Sequence, residues 1–285
     1  MSRIAYVNGR YLRHDEAGVH IEDRGYQFSD GVYEVVGVRG GLLMDEDYHL
    51  QRLVRSLSEL KIAMPMGLAS LRQVIRHVVR RNGIRDGLVY LQVTRGVARR
   101  DHPFPNPAVR PSIVITAKRL NEERIQKVVR DGVRVITLPD QRWARRDIKS
   151  ISLLANILAK QAAREAGAYE AWLVDRDGMV TEGSSTNAWI VDGEGRLVTR
   201  SLGPDILPGV TRRVLLEAAA HEGLEVVERA FSVEEAYSAA EAFISASTAI
   251  IIPVVKIDDH AIGQGMPGSI TIRLRNAYEA ATKIG

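Results

Sequence analysis

Asp147-Ile148-Lys149-Ser150 and, further along, Val180-Thr181-Glu182-Gly183-Ser184-Ser185-Thr186-Asn187 are the two stretches on which the reading of this chain turns. The first carries a lysine that leads into a helix, and the second puts an acid and a run of small polar residues after a strand. A free lysine amine has a pKa of about 10.4 and is protonated at neutral pH. To act as a nucleophile it needs desolvation or neighbouring cations, which Arg145 and Arg146 supply and Asp147 opposes. Alone, such a lysine is an ordinary surface residue. Together the two stretches put a candidate nucleophilic amine and a candidate acid on one chain.

Composition sets the frame. With 285 residues, 45% of them hydrophobic and 26% charged, the chain is long enough for one large or two ordinary domains with a buried core. There is no cysteine, which excludes disulfides, thiolate metal sites and a cysteine nucleophile and fits a cytoplasmic protein. Met1-Ser2-Arg3-Ile4-Ala5-Tyr6 lacks the apolar run of a signal peptide. The longest apolar stretch, Ala249 to Val255, is strand-sized and contains Pro253, so no membrane span is expected. The net charge of +4 comes from scattered arginine pairs without interleaved aromatics, which argues against nucleic-acid binding and suits carboxylate or phosphate ligands.

Periodicity predicts an α+β first domain, residues 1–120, and a larger strand-rich second domain, residues 121–285. Asn8-Gly9 closes a hairpin between Ile4 and Leu12. Leu50, Leu53, Val54, Leu57 and Leu60 form the expected stripe of one helix; Leu71, Val74, Ile75, Val78 and Val79 form that of the next. Charged Leu120 to Lys127 marks the boundary. In the second half, helices are expected near 152–165, 210–221, 233–238 and 269–282, with strands between them and Glu182 in a loop. Pro208-Gly209-Val210-Thr211-Arg212 opens a helix whose first N–H groups form an anion site. Ser245-Ala246-Ser247-Thr248 is the candidate second half of a phosphate cup, and Arg52 is either its counter-charge or a surface helix arginine.

The motifs resemble those of the D-amino-acid aminotransferases, fold type IV pyridoxal-phosphate enzymes of the branched-chain aminotransferase superfamily. The likeness runs nearly end to end, through Glu22 to Glu34, Val93-Thr94-Arg95-Gly96, Asp147 to Ser150, Val180 to Ser185 and Gly209 to Arg212. It implies a two-domain fold, pyridoxal 5'-phosphate as cofactor and no metal. It makes Lys149 the Schiff-base lysine and Glu182 the partner of the pyridine nitrogen. Arg52, Val210, Thr211 and Ser247 match the phosphate binders, Leu207 the residue against the ring face, and Ser185 a further cofactor contact.

The resemblance also implies a homodimer with each active site at the subunit interface. Tyr33, with Arg100 and His102 from the other subunit, then traps the substrate α-carboxylate, and Thr248 lies at the substrate. An arginine fork fixes carboxylate orientation and hence handedness. The implied reaction is ping-pong transamination of D-alanine or D-glutamate with 2-oxo acids. A branched-chain L-amino-acid aminotransferase, an (R)-amine aminotransferase and an aminodeoxychorismate lyase share Lys149 and Glu182 and differ at the Arg100/His102 pair.

Overall fold

The computed structural model describes residues 3–281. The chain divides into two compact units. Among the described residues, the first holds 3–120 plus Ile148–Ser152, and the second holds Asn121–Asp147 and 153–281. Lys149, which the sequence reading puts in the later half, therefore packs with the first unit.

In the first unit, β1 (Ile4–Val7) and β2 (Arg10–Arg13) pair across Asn8-Gly9, both at positive φ as a tight hairpin requires. There follow α1 (Arg24–Phe28), β3 (Gly31–Arg39), β4 (Leu42–Leu43), α2 (Glu46–Glu59), α3 (Leu68–Arg81), β5 (Gly87–Thr94) and β6 (Ser112–Arg119). The six strands form an antiparallel sheet in the order β2-β1-β6-β5-β3-β4. Leu50, Leu53 and Leu57 of α2 and Leu71, Ile75, Val78 and Val79 of α3 share one core with Val32, Val36, Val89, Leu91 and Ile115 of the sheet. Val54, expected in the α2 stripe, is exposed instead, because it lies one residue off the row that Leu50, Leu53 and Leu57 define.

The second unit runs α4 (Glu122–Asp131), β7 (Val133–Pro139), α5 (Leu154–Glu165), β8 (Glu170–Val174), β9 (Val180–Gly183), β10 (Asn187–Val191) and β11 (Leu197–Thr199). Then come α6 (Val210–His221), β12 (Val226–Glu228), α7 (Val233–Tyr237), β13 (Glu241–Ala246), β14 (Ile250–Ile257), β15 (His260–Ala261) and α8 (Ser269–Ala281). Its mixed sheet has the order β12-β11-β10-β13-β14-β7-β8-β9, with β15 on β14. Trp172, Phe231, Ile244 and Val254 lie in its core.

Two departures from the sequence reading bear on the site. Glu182 is not in a loop but is the third residue of β9, with the small polar run turning from β9 into β10. The charged stretch expected as a boundary contains a helix, α4, capped by the Asn121 side chain accepting from the Arg124 amide, with Glu122 and Glu123 in its first turn. The last residue expected in the final helix, Thr282, lies outside the described residues.

Candidate active site

The first unit fixes Lys149 through its backbone. The Tyr33 amide donates to the Lys149 carbonyl at 3.0 Å, the Ile151 amide to the Gly31 carbonyl at 3.1 Å, and Val32 and Ser150 form a β-bridge. Ile148, buried in the core, anchors the other side. Gly31 is needed here because a Cβ would stand 2.7 Å from the Val93 carbonyl oxygen. The lysine side chain then lies with its Nζ 4.3 Å from the centre of the Tyr33 ring. Tyr33 stacks on Tyr90 at 5.7 Å, and the Tyr90 hydroxyl donates to Gln92 at 2.6 Å. Burial, with Tyr33 beside it, pushes the Tyr90 phenol up to about 12, so it stays neutral.

Arg52, expected to neutralise a phosphate, is buried and grips Glu34 with two nitrogens, Nε and Nη2, each at 2.8 Å. His49 meets the same carboxylate through Nδ1 at 2.7 Å. Burial raises the Glu34 pKa, but the Arg52 charge and the hydrogen bonds from Arg52 and His49 outweigh it and hold it at about 2. Burial lowers the His49 pKa against the pull of Glu34, and the nearby Arg52 and Lys149 add to the lowering. Arg52 is thus part of a three-residue polar core with a fixed guanidinium. Along the sequence Glu34 stands out only as the end of the Glu22–Glu34 stretch, and His49 not at all. The signal is an acid inside the Val-rich strand β3, since a buried carboxylate demands a cation.

Arg100 and His102 lie on the same patch of the first unit. The Arg100 guanidinium sits 4.6 Å over the Phe28 ring, and His102 packs on that ring at 5.6 Å. Arg24 ties the loop down by donating to the carbonyls of Asp101 and His102 while pairing with Asp30. Among the described residues, no hydrogen bond, ion pair or ring contact joins Arg100 or His102 to Tyr33 or Lys149 of the same chain.

The second unit carries Glu182 and the helix start at Val210. Glu182 is buried, and its carboxylate accepts from Arg142 Nη1 at 2.5 Å, Asn187 Nδ2 at 2.9 Å and the Leu207 amide at 3.1 and 3.2 Å. Donors on three sides fix the carboxylate. The helix α6 starts at Val210 after Gly209, which offers no side-chain cap, so the first-turn amides of Val210 and Thr211 have no intrahelical acceptor. Gly209 is required: a Cβ would come within 2.1 Å of Asn187 Oδ1. Ser247 and Thr248 lie in the turn between β13 and β14, the first half-buried and the second exposed. The Ser185 hydroxyl, expected at the cofactor, donates to the fully buried Glu170 at 2.8 Å. Ser184 shares that acceptor, so Glu170 holds the turn from below.

A fixed carboxylate for a protonated ring nitrogen, an uncapped helix start for a phosphate and a lysine on a rigid backbone fit pyridoxal phosphate in chemical type. The chain belongs to the class IV amino-transferases, whose family pattern matches residues 31–257. It is 41% identical over 272 residues to the D-alanine aminotransferase of Bacillus licheniformis, covering 95% of this chain and 94% of that protein. To the D-alanine aminotransferase of Staphylococcus haemolyticus it is 37% identical over 273 residues, covering 96% and 95%. Among solved structures it is similar to a branched-chain amino acid aminotransferase from T.th. with pyridoxamine 5'-phosphate. That match has a TM-score of 0.89 and 27% identity, and covers 99% of this chain and 94% of that one.

Proposed function

We propose that this chain transfers the amino group of D-amino acids, D-alanine and D-glutamate among them, to 2-oxo acids, with pyridoxal 5'-phosphate as cofactor. When bound, the cofactor supplies an aldehyde for an amine and a ring that draws electrons from the substrate Cα. Lys149 supplies the amine, takes the proton from the substrate Cα and later returns a proton. Glu182 holds the proton on the ring nitrogen. Val210, Thr211, Ser247 and Arg52 hold the phosphate, and Leu207 packs against the ring. Tyr33, Arg100 and His102 orient the α-carboxylate, with Thr248 at the substrate.

The enzyme acts as a cytoplasmic homodimer in which Arg100 and His102 of each subunit serve the other's site. Their seating on Phe28, apart from Tyr33 and Lys149 of their own chain, supports that assignment. Among the described residues no helix is long and apolar enough to cross a membrane.

The observation that carries the proposal is Glu182, a buried carboxylate held by Arg142, Asn187 and the Leu207 amide. Likeness in shape to a branched-chain enzyme favours a second reading, transamination of branched-chain L-amino acids. One experiment separates them: the visible spectrum of the purified, cofactor-loaded protein before and after D-alanine, then in a fresh sample L-leucine. D-alanine should bleach the lysine-bound cofactor band and release pyruvate. Bleaching by L-leucine alone establishes the second reading. Borohydride reduction followed by peptide mass mapping should place the cofactor mass on Lys149.

A further inference from the structure

Glu182 is the first member of a chain of alternating charges confined to the second unit. Arg142 Nη1 meets Glu182, and Arg142 Nε and Nη2 meet both oxygens of Asp140 at 3.0 and 2.8 Å. Arg146 Nε lies 3.4 Å from Asp140, and Arg146 Nη1 bonds Asp205 at 2.8 Å. Asp205 meets Arg200 at 3.0 Å, and Arg200 meets Asp175 at 2.7 Å. Four carboxylates and three guanidiniums leave this chain with one net negative charge. The inner three, Glu182, Arg142 and Asp140, carry the same net charge and are nearly without solvent, with side-chain exposures of 6%, 7% and 0%. Further along the chain, Asp205 is 42% exposed, so water screens it.

The arrangement has an electrostatic consequence. A guanidinium directly on Glu182 lowers the affinity of that carboxylate for any proton it shares, and it repels a second cation placed against the same carboxylate. Asp140 cancels that effect. It is gripped in two places by Arg142, accepts from the Arg142 amide at 3.1 Å and from the Thr181 hydroxyl at 2.8 Å, and has no solvent of its own. Thr181 is the neighbour of Glu182 on β9, so the counter-charge is fixed to the same strand as the acid it serves.

Resting on Glu182 as the partner of the ring nitrogen, we propose that Asp140 is a positioning residue that neutralises Arg142. Arg142 then holds Glu182 without offsetting the negative charge that a protonated cofactor ring requires. Arg142 orients the carboxylate; Asp140 keeps that orientation from weakening the acid–ring pair.

The test is a pH titration by nitrogen NMR of the holoenzyme loaded with ring-15N pyridoxal phosphate, which reads protonation of the ring nitrogen directly. In Asp140→Asn, the ratio of protonated to unprotonated ring nitrogen should fall about tenfold at a given pH, the effect of one pKa unit. In the double variant Asp140→Asn with Arg142→Gln, the net charge on the inner residues is restored and the ratio should return towards wild type. An unchanged titration in Asp140→Asn overturns the proposal. So does a fall that the double variant does not reverse, because it marks a merely structural role. Should Asp140→Asn fail to fold, Arg142→Gln alone decides: retained protonation supports the charge argument, and its loss overturns it. Glu182→Gln is the control for the underlying assignment. If that change leaves the ring nitrogen untouched, the acid assignment itself fails; if it matters and Asp140→Asn does not, only the role of Asp140 falls.

Discussion

Lys149 and Tyr33 are joined twice: the Tyr33 amide donates to the Lys149 carbonyl at 3.0 Å, and the Lys149 Nζ stands 4.3 Å from the centre of the Tyr33 ring. The backbone bond sets where the lysine leaves β3's edge, and the ring sets where its amine rests. Tyr33 in turn leans on Tyr90, so the amine is placed by a strand, not by a mobile loop.

Tyr33 can therefore be split into ring and hydroxyl. Tyr33→Phe keeps the stack and should leave the urea midpoint unchanged. It should lower kcat/KM for D-alanine about tenfold or more, the effect of losing a hydrogen bond to a charged group worth about 1.5–3 kcal/mol. Tyr33→Ala should lose activity and about 2 kcal/mol of stability as well, from the lost aromatic pair and buried area. Equal stability in the Ala and Phe variants would refute the stacking argument.

Arg100→Ala should raise KM for D-alanine about tenfold or more while cofactor affinity stays at wild type, since a carboxylate loses a charged donor worth about 1.5–3 kcal/mol. Steady-state kinetics alongside a cofactor titration checks both halves. An unchanged KM would remove Arg100 from the carboxylate trap.

Glu34→Gln should destabilise the protein by about 3–5 kcal/mol, because it leaves the buried Arg52 without its counter-charge. The same carboxylate predicts the acid limb of stability. Its pKa falls from 4.5 to about 2 on folding, so the unfolded chain binds the extra proton between those values. The stabilisation is complete above pH 4.5 and is lost as pH drops towards 2, on the order of 3 kcal/mol in all. His49, also lowered, adds a loss of the same sign below its ordinary 6.5. Urea denaturation at several pH values should show a smaller acid-side loss in Glu34→Gln than in wild type.

Gly209→Ala should weaken cofactor binding about tenfold to a hundredfold. Its Cβ would enter the space of Asn187 Oδ1, and Asn187 is committed through Nδ2 to Glu182 and the Leu207 carbonyl. Overpacking of this kind costs about 1–3 kcal/mol. Wild-type cofactor affinity in the variant would show that Asn187 yields without disturbing Glu182.

What is legible along the chain follows from short-range rules. The Asn8-Gly9 turn, the stripe of Leu71, Ile75, Val78 and Val79, and the Gly209–Thr211 helix start each need only a few consecutive residues to be recognised. Glu182 and Lys149 stand out because their motifs are local as well. The α4 helix escapes a reading that weighs high charge above capping, although Asn121-Glu122-Glu123 is a helix-start signal. Val54 belongs to the expected stripe but not to the core, because a stripe read from periodicity is broader than the row that packs.

By itself, then, the sequence determined the hydrophobic periods, the turn chemistry and the lysine and glutamate proposed as amine and acid, all set by neighbours along the chain. Tertiary structure alone decided the company they keep: Glu34 for Arg52, Tyr33 for Lys149, Glu170 for Ser185, and Arg142 with Asp140 behind Glu182. Spacing along the chain is silent about these partners. They are selected by strand register and by the demand that every charge withdrawn from water find an opposite one, and both are settled only when the sheets close over their cores.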